Sequence, residues 1–299
     1  MRVAFAPIYR YDLPAGHRFP MEKYELLPMQ LIREGVLEEA DFFLPSRLTE
    51  EDLMLTHTSA YWDKLEHQHL SAREIRAIGF PMTSLLVERG RYIARGTYDC
   101  AQYAESEGIS LNIAGGTHHA YADRGEGFCV FNDIAIAARK LLHEGRCKKI
   151  MVVDLDVHQG NGTAHIFREE SRVFTFSMHG LKNYPLRKEH SNLDIGLPDH
   201  TTDLEYLREL EHHLPRIVNQ FKPDLVFYQA GVDVLKEDKL GRLDLSLEGC
   251  MMRDHFVLSL CYTLGIPVVV TMGGGYPLRL TTLITAHTNT YKVARSLIP

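Results

Sequence analysis

Two short segments of the sequence combine carboxylates with an imidazole in a way that suits a metal ion. Asp154, Asp156 and His158 are spaced by two after one apolar run, and Asp233 follows a second apolar run. Side chains two residues apart project to the same side if the strand stays extended. Buried carboxylates repel each other unless a cation lies beside them. Asp156, His158 and Asp233 are therefore predicted to bind a catalytic metal ion with an open coordination position.

Zinc is the first choice for two carboxylates and one imidazole, and iron or cobalt are alternatives. The competing interpretation of Asp-x-Asp-x-His is a solvated strand exit, and Asp233 alone is more typical of a turn or helix cap. The two segments together favour a metal site. A second ion would need further carboxylates, but Gly160 and Leu235 stand two positions after His158 and Asp233. A single catalytic ion is therefore predicted.

His118 and His119 are adjacent in a loop that opens with two glycines. Such a pair is more often exposed than catalytic, but a position at a strand exit facing the metal reverses that preference. One imidazole can accept a proton from an activated water and return it to a leaving amine, while the other supports the site. Asp154 and Asn161 are candidates to orient them, and Asn161 alternatively caps a helix or turn. A neutral Asn raises the pKa of its histidine less than Asp does, which suits a base.

Tyr276 follows three consecutive glycines, which could bring its phenol into the same crevice. There it could donate a hydrogen bond to a carbonyl oxygen that gains negative charge during reaction. The alternative is a glycine-rich turn without a catalytic role. The glycine spacing matches neither a dinucleotide-binding fingerprint nor a phosphate-binding loop.

Apolar runs that alternate with segments of helical period must position these residues. This pattern predicts an α/β protein, a single domain over 1–299 whose central, mainly parallel sheet is flanked by helices. Its strands are predicted at 3–6, 110–113, 149–155, 172–178, 224–230 and 266–271, and its helices at about 21–34, 82–107, 131–144, 202–219, 247–263 and 278–297. The stretch 179–200 is predicted to be irregular. Four polar segments follow strands, so an active site is expected at the carboxyl ends of the sheet.

The composition limits the partners and the compartment. The 299 residues are 45% hydrophobic and carry a net charge of -6, which excludes a broad basic surface for nucleic acid and would favour a cationic substrate. The five cysteines are scattered and never form CxxC, as expected of reduced thiols and a cytoplasmic protein. No apolar stretch approaches the roughly 20 residues of a membrane span.

Six segments together resemble the zinc-dependent histone deacetylase family, which has the arginase/deacetylase fold, over nearly the whole chain. They are Gly-Gly-Thr-His-His from Gly115, Gly-Phe-Cys from Gly127, Asp-Leu-Asp-Val-His-Gln-Gly-Asn-Gly from Asp154, Gly-Val-Asp from Gly231, Asp-Lys-Leu-Gly from Asp238 and Gly-Gly-Gly-Tyr from Gly273. The third and fifth segments are most similar to the class IV branch and its bacterial relatives. Asn161, where several deacetylases have Asp, and Thr117, where an aromatic residue is common, depart from the pattern.

The resemblance implies a role for each candidate. Asp156, His158 and Asp233 would bind zinc, His119 would act as general base and acid with help from His118, and Tyr276 would polarise the carbonyl. The implied substrate channel is lined by Gly127, Phe128, Tyr184 and Gly274. A structural potassium or sodium ion is implied at Asp154, Asp156, His158, Ser177 and the main-chain oxygen of Met178. Asp154 would then support both this ion and His118.

Three functions remain open at this point. The first is hydrolysis of acyl-lysine in a protein or peptide, for which the class IV resemblance implies long acyl chains. The second is deacetylation of a small acylated amine such as an acetylpolyamine, which presents the same amide and aliphatic chain. The third, a non-catalytic acyl-lysine binding protein, is disfavoured because every expected ligand and catalytic residue is present. The oligomeric state is left open.

Overall fold

The computed structural model describes residues 1–298 and is organised around one sheet of eight parallel strands. In chain order the strands are β1 (Val3–Ala4), β2 (Phe42–Phe43), β3 (Ile109–Asn112), β4 (Ile150–Asp154), β5 (Val173–Gly180), β6 (Leu193–Leu197), β7 (Leu225–Gln229) and β8 (Val268–Thr271). Their spatial order is β2-β1-β3-β8-β7-β4-β5-β6. The strands that precede the two segments predicted to bind metal, β4 and β7, are therefore neighbours.

Helices form most of the connections between the parallel strands, whereas an irregular segment over 181–192 connects β5 to β6. They are α1 (Lys23–Arg33), α2 (Glu50–Met54), α3 (Ser59–Glu66), α4 (Ala72–Ile78), α5 (Ser84–Glu107), α6 (Asp133–His143), α7 (Asn161–Phe167), α8 (Asp203–Phe221), α9 (Leu247–Thr263) and α10 (Leu280–Leu297). Short 3-10 turns occupy Pro7–Tyr9 and Glu39–Asp41.

Both faces of the central strands are buried, and alternate side chains enter different cores. Ile150 and Val152 of β4 pack in a cluster with residues of α5 and α6, whereas Met151 and Val153 pack in the larger cluster that includes α8, α9 and α10. Burial on both faces explains why β4 is apolar throughout. The predicted α/β architecture, with a mainly parallel sheet between helices, is confirmed.

The six predicted strands and six predicted helices are present, with ends shifted by a few residues. The prediction that 179–200 is irregular was wrong at two places, because β5 continues to Gly180 and β6 spans Leu193–Leu197. The strand β6 is a partly exposed edge strand containing Asp194 and Gly196, which are poor strand formers. The short elements β2, α2, α3, α4 and α7 were also not predicted. The single domain over 1–299 stays a prediction, and Pro299 lies outside the described residues.

The five cysteines are all buried free thiols in this structure. Within residues 1–298, no helix is both long enough and apolar enough to cross a membrane.

Candidate active site

The carboxyl ends of β4 and β7 bring three side chains of the predicted metal site together. One ligand atom each of Asp156, His158 and Asp233 can be chosen so that all three lie within 4.8 Å of one another. His158 Nδ1 is 3.2 Å from Asp156 Oδ1 and 3.1 Å from Asp233 Oδ2. The extended strand ends at Asp154, and in the following loop the N–H of His158 donates to Asp156 Oδ1 at 3.0 Å. The loop, rather than a continued strand, therefore orients these predicted ligands.

The electrostatics of this cluster fit a divalent cation. Burial and the adjacent Asp156 raise the pKa of Asp233 to about 7. Burial alone would lower the pKa of His158, but Asp156 and Asp233 raise it to about 10. The negative charges of the two buried carboxylates must be compensated, and a proton on His158 compensates only part of them. A metal ion would replace that proton and neutralise both carboxylates.

Glycines allow the neighbouring backbone to approach the carboxylates and the imidazoles. The N–H of Gly274 donates to Asp156 Oδ2 at 2.8 Å, and a Cβ at Gly274 would lie 2.0 Å from Asp233 Oδ2. Gly127 has a φ of +54°, and a Cβ there would lie 2.6 Å from Cδ2 of His119. Both positions therefore exclude larger residues.

The two adjacent histidines have different partners. His118 Nδ1 is 2.7 Å from Asp154 Oδ2, and His119 Nδ1 is 2.7 Å from Asn161 Oδ1. The Nε2 atoms of the two rings lie 3.2 Å apart. The structure thus brings each predicted orienting residue to one histidine. From this network we assign protons to Nδ1 and Nε2 of His118 and to Nδ1 of His119, which leaves a lone pair on His119 Nε2.

The charges of the pair follow from these contacts. Burial would lower the pKa of His118, but Asp154 and Asp156 raise it to about 9. Burial and the positive charges of His118 and His158 hold the pKa of His119 well below its usual range. His118 is therefore a cation, and His119 is neutral and able to accept a proton.

An unpredicted carboxylate shapes the loop that carries both histidines. The buried Asp133 accepts hydrogen bonds from the N–H of Gly116 at 3.1 Å, from the N–H of Thr117 at 2.7 Å and from Thr117 Oγ1 at 2.6 Å. Its neighbour Asn132 caps α6 and donates to the carbonyl of Ala120 at 3.1 Å. In the sequence, this Asn-Asp pair is indistinguishable from an ordinary helix start.

A buried histidine outside the crevice supports the same loop. His57 Nε2 accepts the N–H of Asn132 at 3.1 Å, and its Nδ1 lies 3.3 Å from the carbonyl of Ala122. Burial lowers the pKa of His57 to about 4. The unfolded chain therefore binds a proton more readily than the folded chain at this position.

We expect this difference to make folding sensitive to mild acid. The contribution of His57 to the free energy of unfolding is complete above pH ~6.5 and is lost as the pH falls towards 4. For a pKa shift of this size the loss is about 3 kcal/mol. Urea unfolding of metal-free protein between pH 7 and 4 measures it, with His57→Gln as the comparison that cannot titrate. An equal fall of the free energy of unfolding in both proteins would contradict the assignment.

Tyr276 lines the same cavity as His119 and Asp156. Burial and the charges of Asp233 and Asp156 raise its pKa well above the usual value, so the phenol remains a hydrogen-bond donor. Its backbone N–H donates to Asp238 Oδ2 at 2.5 Å. Asp238 Oδ1 accepts from the N–H groups of Leu240 and Gly241 at 2.8 and 2.9 Å. The carboxylate of Asp238 therefore holds the tyrosine segment in place.

A buried lysine contacts the other end of the glycine run. Lys23 Nζ donates to the carbonyl of Gly273 at 2.8 Å and lies 5.3 Å from the ring centroid of Phe19 and 5.2 Å from that of Tyr24. Nothing in the spacing of the sequence connects Lys23 with a segment 250 residues away.

A narrow channel leads from the surface to these groups. An inner cavity of about 40 Å³ and an outer cleft of about 350 Å³ share His119, Gly127, Phe128, His158 and Tyr276 in their linings. The ring of Tyr184 lines the outer cleft, 5.0 Å from the ring of His119 and perpendicular to it. Gly274 lines the inner cavity. The four residues predicted for the channel thus lie along one path.

The implied site for potassium or sodium stays a prediction. Asp154 pairs in register with Ser177 on β5, and Met178 is the next residue of that strand. Ser177 Oγ is 2.9 Å from His179 Nδ1, a contact that the sequence did not indicate.

A fully buried arginine on α9 links the two ligand segments. Arg253 Nη1 donates to the carbonyl of Leu155 at 3.1 Å and to that of Gly231 at 2.6 Å. Leu155 directly precedes Asp156, and Gly231 lies two residues before Asp233. The charge of Arg253 is balanced by Asp254, whose Oδ1 lies 2.8 Å from Nη2. Arg253 is therefore placed to position the predicted metal ligands.

Substitution of Arg253 is expected to weaken metal binding. Arg253→Lys keeps the charge beside Asp254 but cannot reach both carbonyl groups, so the affinity for Zn²⁺ as probe ion should fall by about 10-fold or more, as for other residues that support metal ligands. Competition with a chelator measures the affinity of the folded protein. Thr290→Val is the control, because Thr290 Oγ1 contacts Asp254 Oδ2 at 2.7 Å and no ligand segment. Equal losses of affinity in both variants would show a general structural effect instead.

Known proteins share both the sequence and the fold. Residues 17–291 match the family model described as the histone deacetylase domain. An uncharacterized protein of Picosynechococcus sp. is 41% identical over 295 residues, covering 99% of this chain and 98% of that protein. Histone deacetylase 2 of Arabidopsis thaliana is 33% identical over 269 residues, covering 87% of this chain and 70% of that protein.

Among solved structures, a crystal structure of an HDAC homolog complexed with SAHA superposes with a TM-score of 0.84 at 25% identity, covering 99% of this chain and 84% of that one. This similarity confirms the deacetylase-like α/β fold. With a family match across most of its length, the chain belongs to the histone deacetylase family.

Proposed function

We propose that this protein is a zinc-dependent hydrolase that removes acyl groups from the side-chain amine of lysine. The observation that carries the proposal is the convergence of three groups on one inner cavity: the Asp156, His158 and Asp233 cluster, the lone pair of His119 and the phenol of Tyr276. Together they provide a metal site, a proton acceptor and a hydrogen-bond donor, which are the groups that hydrolysis of an amide needs.

Asp156, His158 and Asp233 would hold the zinc ion. When bound there, zinc supplies a Lewis acid that makes water a better nucleophile at neutral pH and polarises the amide carbonyl. The choice of zinc rests on the donor set, since two carboxylates and one imidazole leave a coordination position open.

The residues of the chain would manage the protons. His119 Nε2 accepts a proton from the attacking water, because Asn161 holds the proton of the ring on Nδ1 and leaves Nε2 of this cavity-lining ring unprotonated. The same nitrogen then delivers the proton to the lysine amine as the C–N bond breaks, leaving a carboxylate and a free amine. The cationic His118, held by Asp154, stabilises negative charge that develops on the carbonyl oxygen.

Tyr276 would complete this stabilisation. Its phenol stays protonated in the buried crevice and is available to donate to the same carbonyl oxygen. Asp238 fixes the backbone of Tyr276, so little reorganisation is needed when the charge develops.

The channel fits the aliphatic part of an acyl-lysine. Phe128 and Tyr184 offer aromatic surface, and Gly127 leaves room beside His119. A lysine side chain is apolar over four methylene groups, so such a channel holds it extended while its amide reaches the inner cavity. By extension of the class IV resemblance, we propose that long acyl chains are removed as well as acetyl groups.

The test is an assay of zinc-reconstituted protein with acetyl-, octanoyl- and myristoyl-lysine peptides, and with acetylated polyamines as the small-amine alternative. Hydrolysis of at least one acyl-lysine peptide, with a higher kcat/KM than any polyamine, is the expected result. A higher kcat/KM for an acetylpolyamine would replace the proposal by the small-amine function. Stoichiometric zinc without hydrolysis of any substrate would favour the non-catalytic alternative.

A further inference from the structure

The outer cleft carries a concentration of positive charge that the catalytic chemistry does not require. Arg18, Lys182 and Arg242 line the cleft and are exposed; we call these three residues the cationic rim. Among the described residues that line this cleft, none is acidic. The rim is therefore opposite in sign to the chain as a whole, whose net charge is -6.

Nearby carboxylates balance this charge only in part. Asp199 Oδ2 lies 3.5 Å from Lys182 Nζ and 3.4 Å from Arg242 Nη1, so one carboxylate serves two cations. Glu126, which accepts a hydrogen bond from Tyr184, already pairs with Arg124 at 2.9 Å. An excess of positive charge consequently remains around the mouth of the channel.

Arg18 contributes most directly to the excess. Within residues 1–298, no carboxylate lies within 4.0 Å of its guanidinium group. The guanidinium carbon instead lies 5.1 Å from the ring centroid of Phe128, one of the two aromatic residues of the channel. This contact places an exposed cation beside the path that the substrate enters.

The three cations come from loops that are distant in the sequence. Arg18 precedes α1, Lys182 follows β5, and Arg242 follows β7. The part of a substrate that extends out of the inner cavity therefore lies in an electric field produced by several segments of the fold. Low-dielectric walls concentrate such a field on the ligand.

We propose that the cationic rim selects acyl-lysines that carry negative charge beside the modified side chain, as in a peptide with flanking Asp or Glu residues. The inference rests on the proposed function and names its substrate class. It also makes acetylpolyamines poor substrates, because their remaining ammonium groups would lie in the rim. The preference for a cationic substrate expected from the net charge is thus reversed at the site itself.

The selection should act on substrate capture rather than on the chemical step. Exposed ion pairs are weak, so two acidic flanks together should change kcat/KM by on the order of 10-fold. Because exposed charges are screened, the effect should shrink at high salt. The effect should appear mainly in KM, since flanking groups do not contact the reacting atoms.

The experiment compares acyl-lysine peptides that differ only in two flanking residues, which are Glu, Gln or Lys, with zinc-loaded protein at low and high salt. The expected order of kcat/KM is Glu above Gln above Lys, with a spread that narrows in high salt. Arg18→Gln combined with Arg242→Gln should collapse the spread. Lys148→Gln is the matched control, because Lys148 is exposed just before β4 begins, at the end of the strands opposite the active site.

Two further measurements distinguish failure of the proposed selection from failure of the proposed function. Nε-acyl-lysine with a blocked α-amine and a free α-carboxylate, compared with its amide, shows whether a small anionic molecule reproduces the preference. That result would support the rim and assign it to an amino acid derivative. Binding of fluorescent acyl-lysine peptides to zinc-loaded protein follows the same charge series without turnover. Equal kcat/KM values and affinities for all three flanking residues would overturn the proposed selection. A charge-dependent spread that persists in the Arg18→Gln, Arg242→Gln double variant would also overturn it. Loss of hydrolysis of every peptide, with charge-dependent binding retained, would overturn only the proposed function.

Discussion

Replacement of Asp156 by asparagine is expected to abolish both tight metal binding and turnover. The substitution preserves the shape of the side chain but removes one of the two carboxylate charges that the metal would neutralise. Loss of a residue that merely supports a ligand typically costs 10- to 100-fold in metal affinity, so loss of a direct ligand should cost more than about 100-fold. Competition with a chelator and kcat/KM for an acyl-lysine peptide measure the two effects.

The control for this substitution is Asp99→Asn. Asp99 is a half-buried carboxylate on α5 that pairs with Arg95 at 2.7 Å, away from the cluster. It should leave metal affinity and turnover unchanged. Wild-type metal affinity in Asp156→Asn would remove Asp156 from the ligand set.

Tyr276→Phe is expected to have the second large effect, and the effect should lie in the chemical step. Phenylalanine keeps the ring in the crevice but removes the donor to the carbonyl oxygen. Removal of one such donor typically lowers kcat by about 100- to 1000-fold. Metal affinity should not change, because Tyr276 contributes no ligand atom to the cluster.

Tyr262→Phe is a matched control, since Tyr262 is 46% exposed on α9 and lines neither the inner cavity nor the outer cleft. Steady-state kinetics of both variants separates kcat from KM. A Tyr276→Phe enzyme with wild-type kcat would mean that the phenol does not contact the reacting carbonyl.

The sequence was informative about the site wherever strand ends carried unusual polar residues. Asp156, His158 and Asp233 could be predicted to converge, because the carboxyl ends of parallel strands meet at one edge of a sheet. Assignment of Asp154 to His118 needed the family resemblance, because the spacing alone made it equally a candidate for His119. Hydrogen bonds at 2.7 Å now connect each histidine to its own partner.

The supporting residues could not be predicted, because their roles depend on contacts distant in sequence. Arg253 lies on α9, yet it donates to carbonyl groups of two different strand exits. Asp133 is typical of the first turn of a helix, and its contact with Thr117 appears only when the loop folds back onto α6. Periodicity and spacing report local structure and do not report such contacts.

The strands of the sheet also differ in how well the sequence predicts them. Central strands such as β4 and β7 were predicted because both faces are buried and their sequences are apolar. The edge strands β2 and β6 were missed, since β2 has two residues and β6 contains an aspartate and a glycine. The charge of the rim was also hidden, because three cations from separate loops leave no pattern in a chain whose net charge is negative.

If one metal ion held by Asp156, His158 and Asp233 supports hydrolysis of acyl-lysine, turnover must depend on the amount of bound metal. Metal-stripped protein would be titrated with Zn²⁺ while hydrolysis of an acyl-lysine peptide and bound metal are measured on the same samples. Turnover is expected to rise linearly and to reach its plateau at one equivalent of zinc per chain. Full turnover in the stripped protein, or one tightly bound equivalent without any turnover, would contradict it.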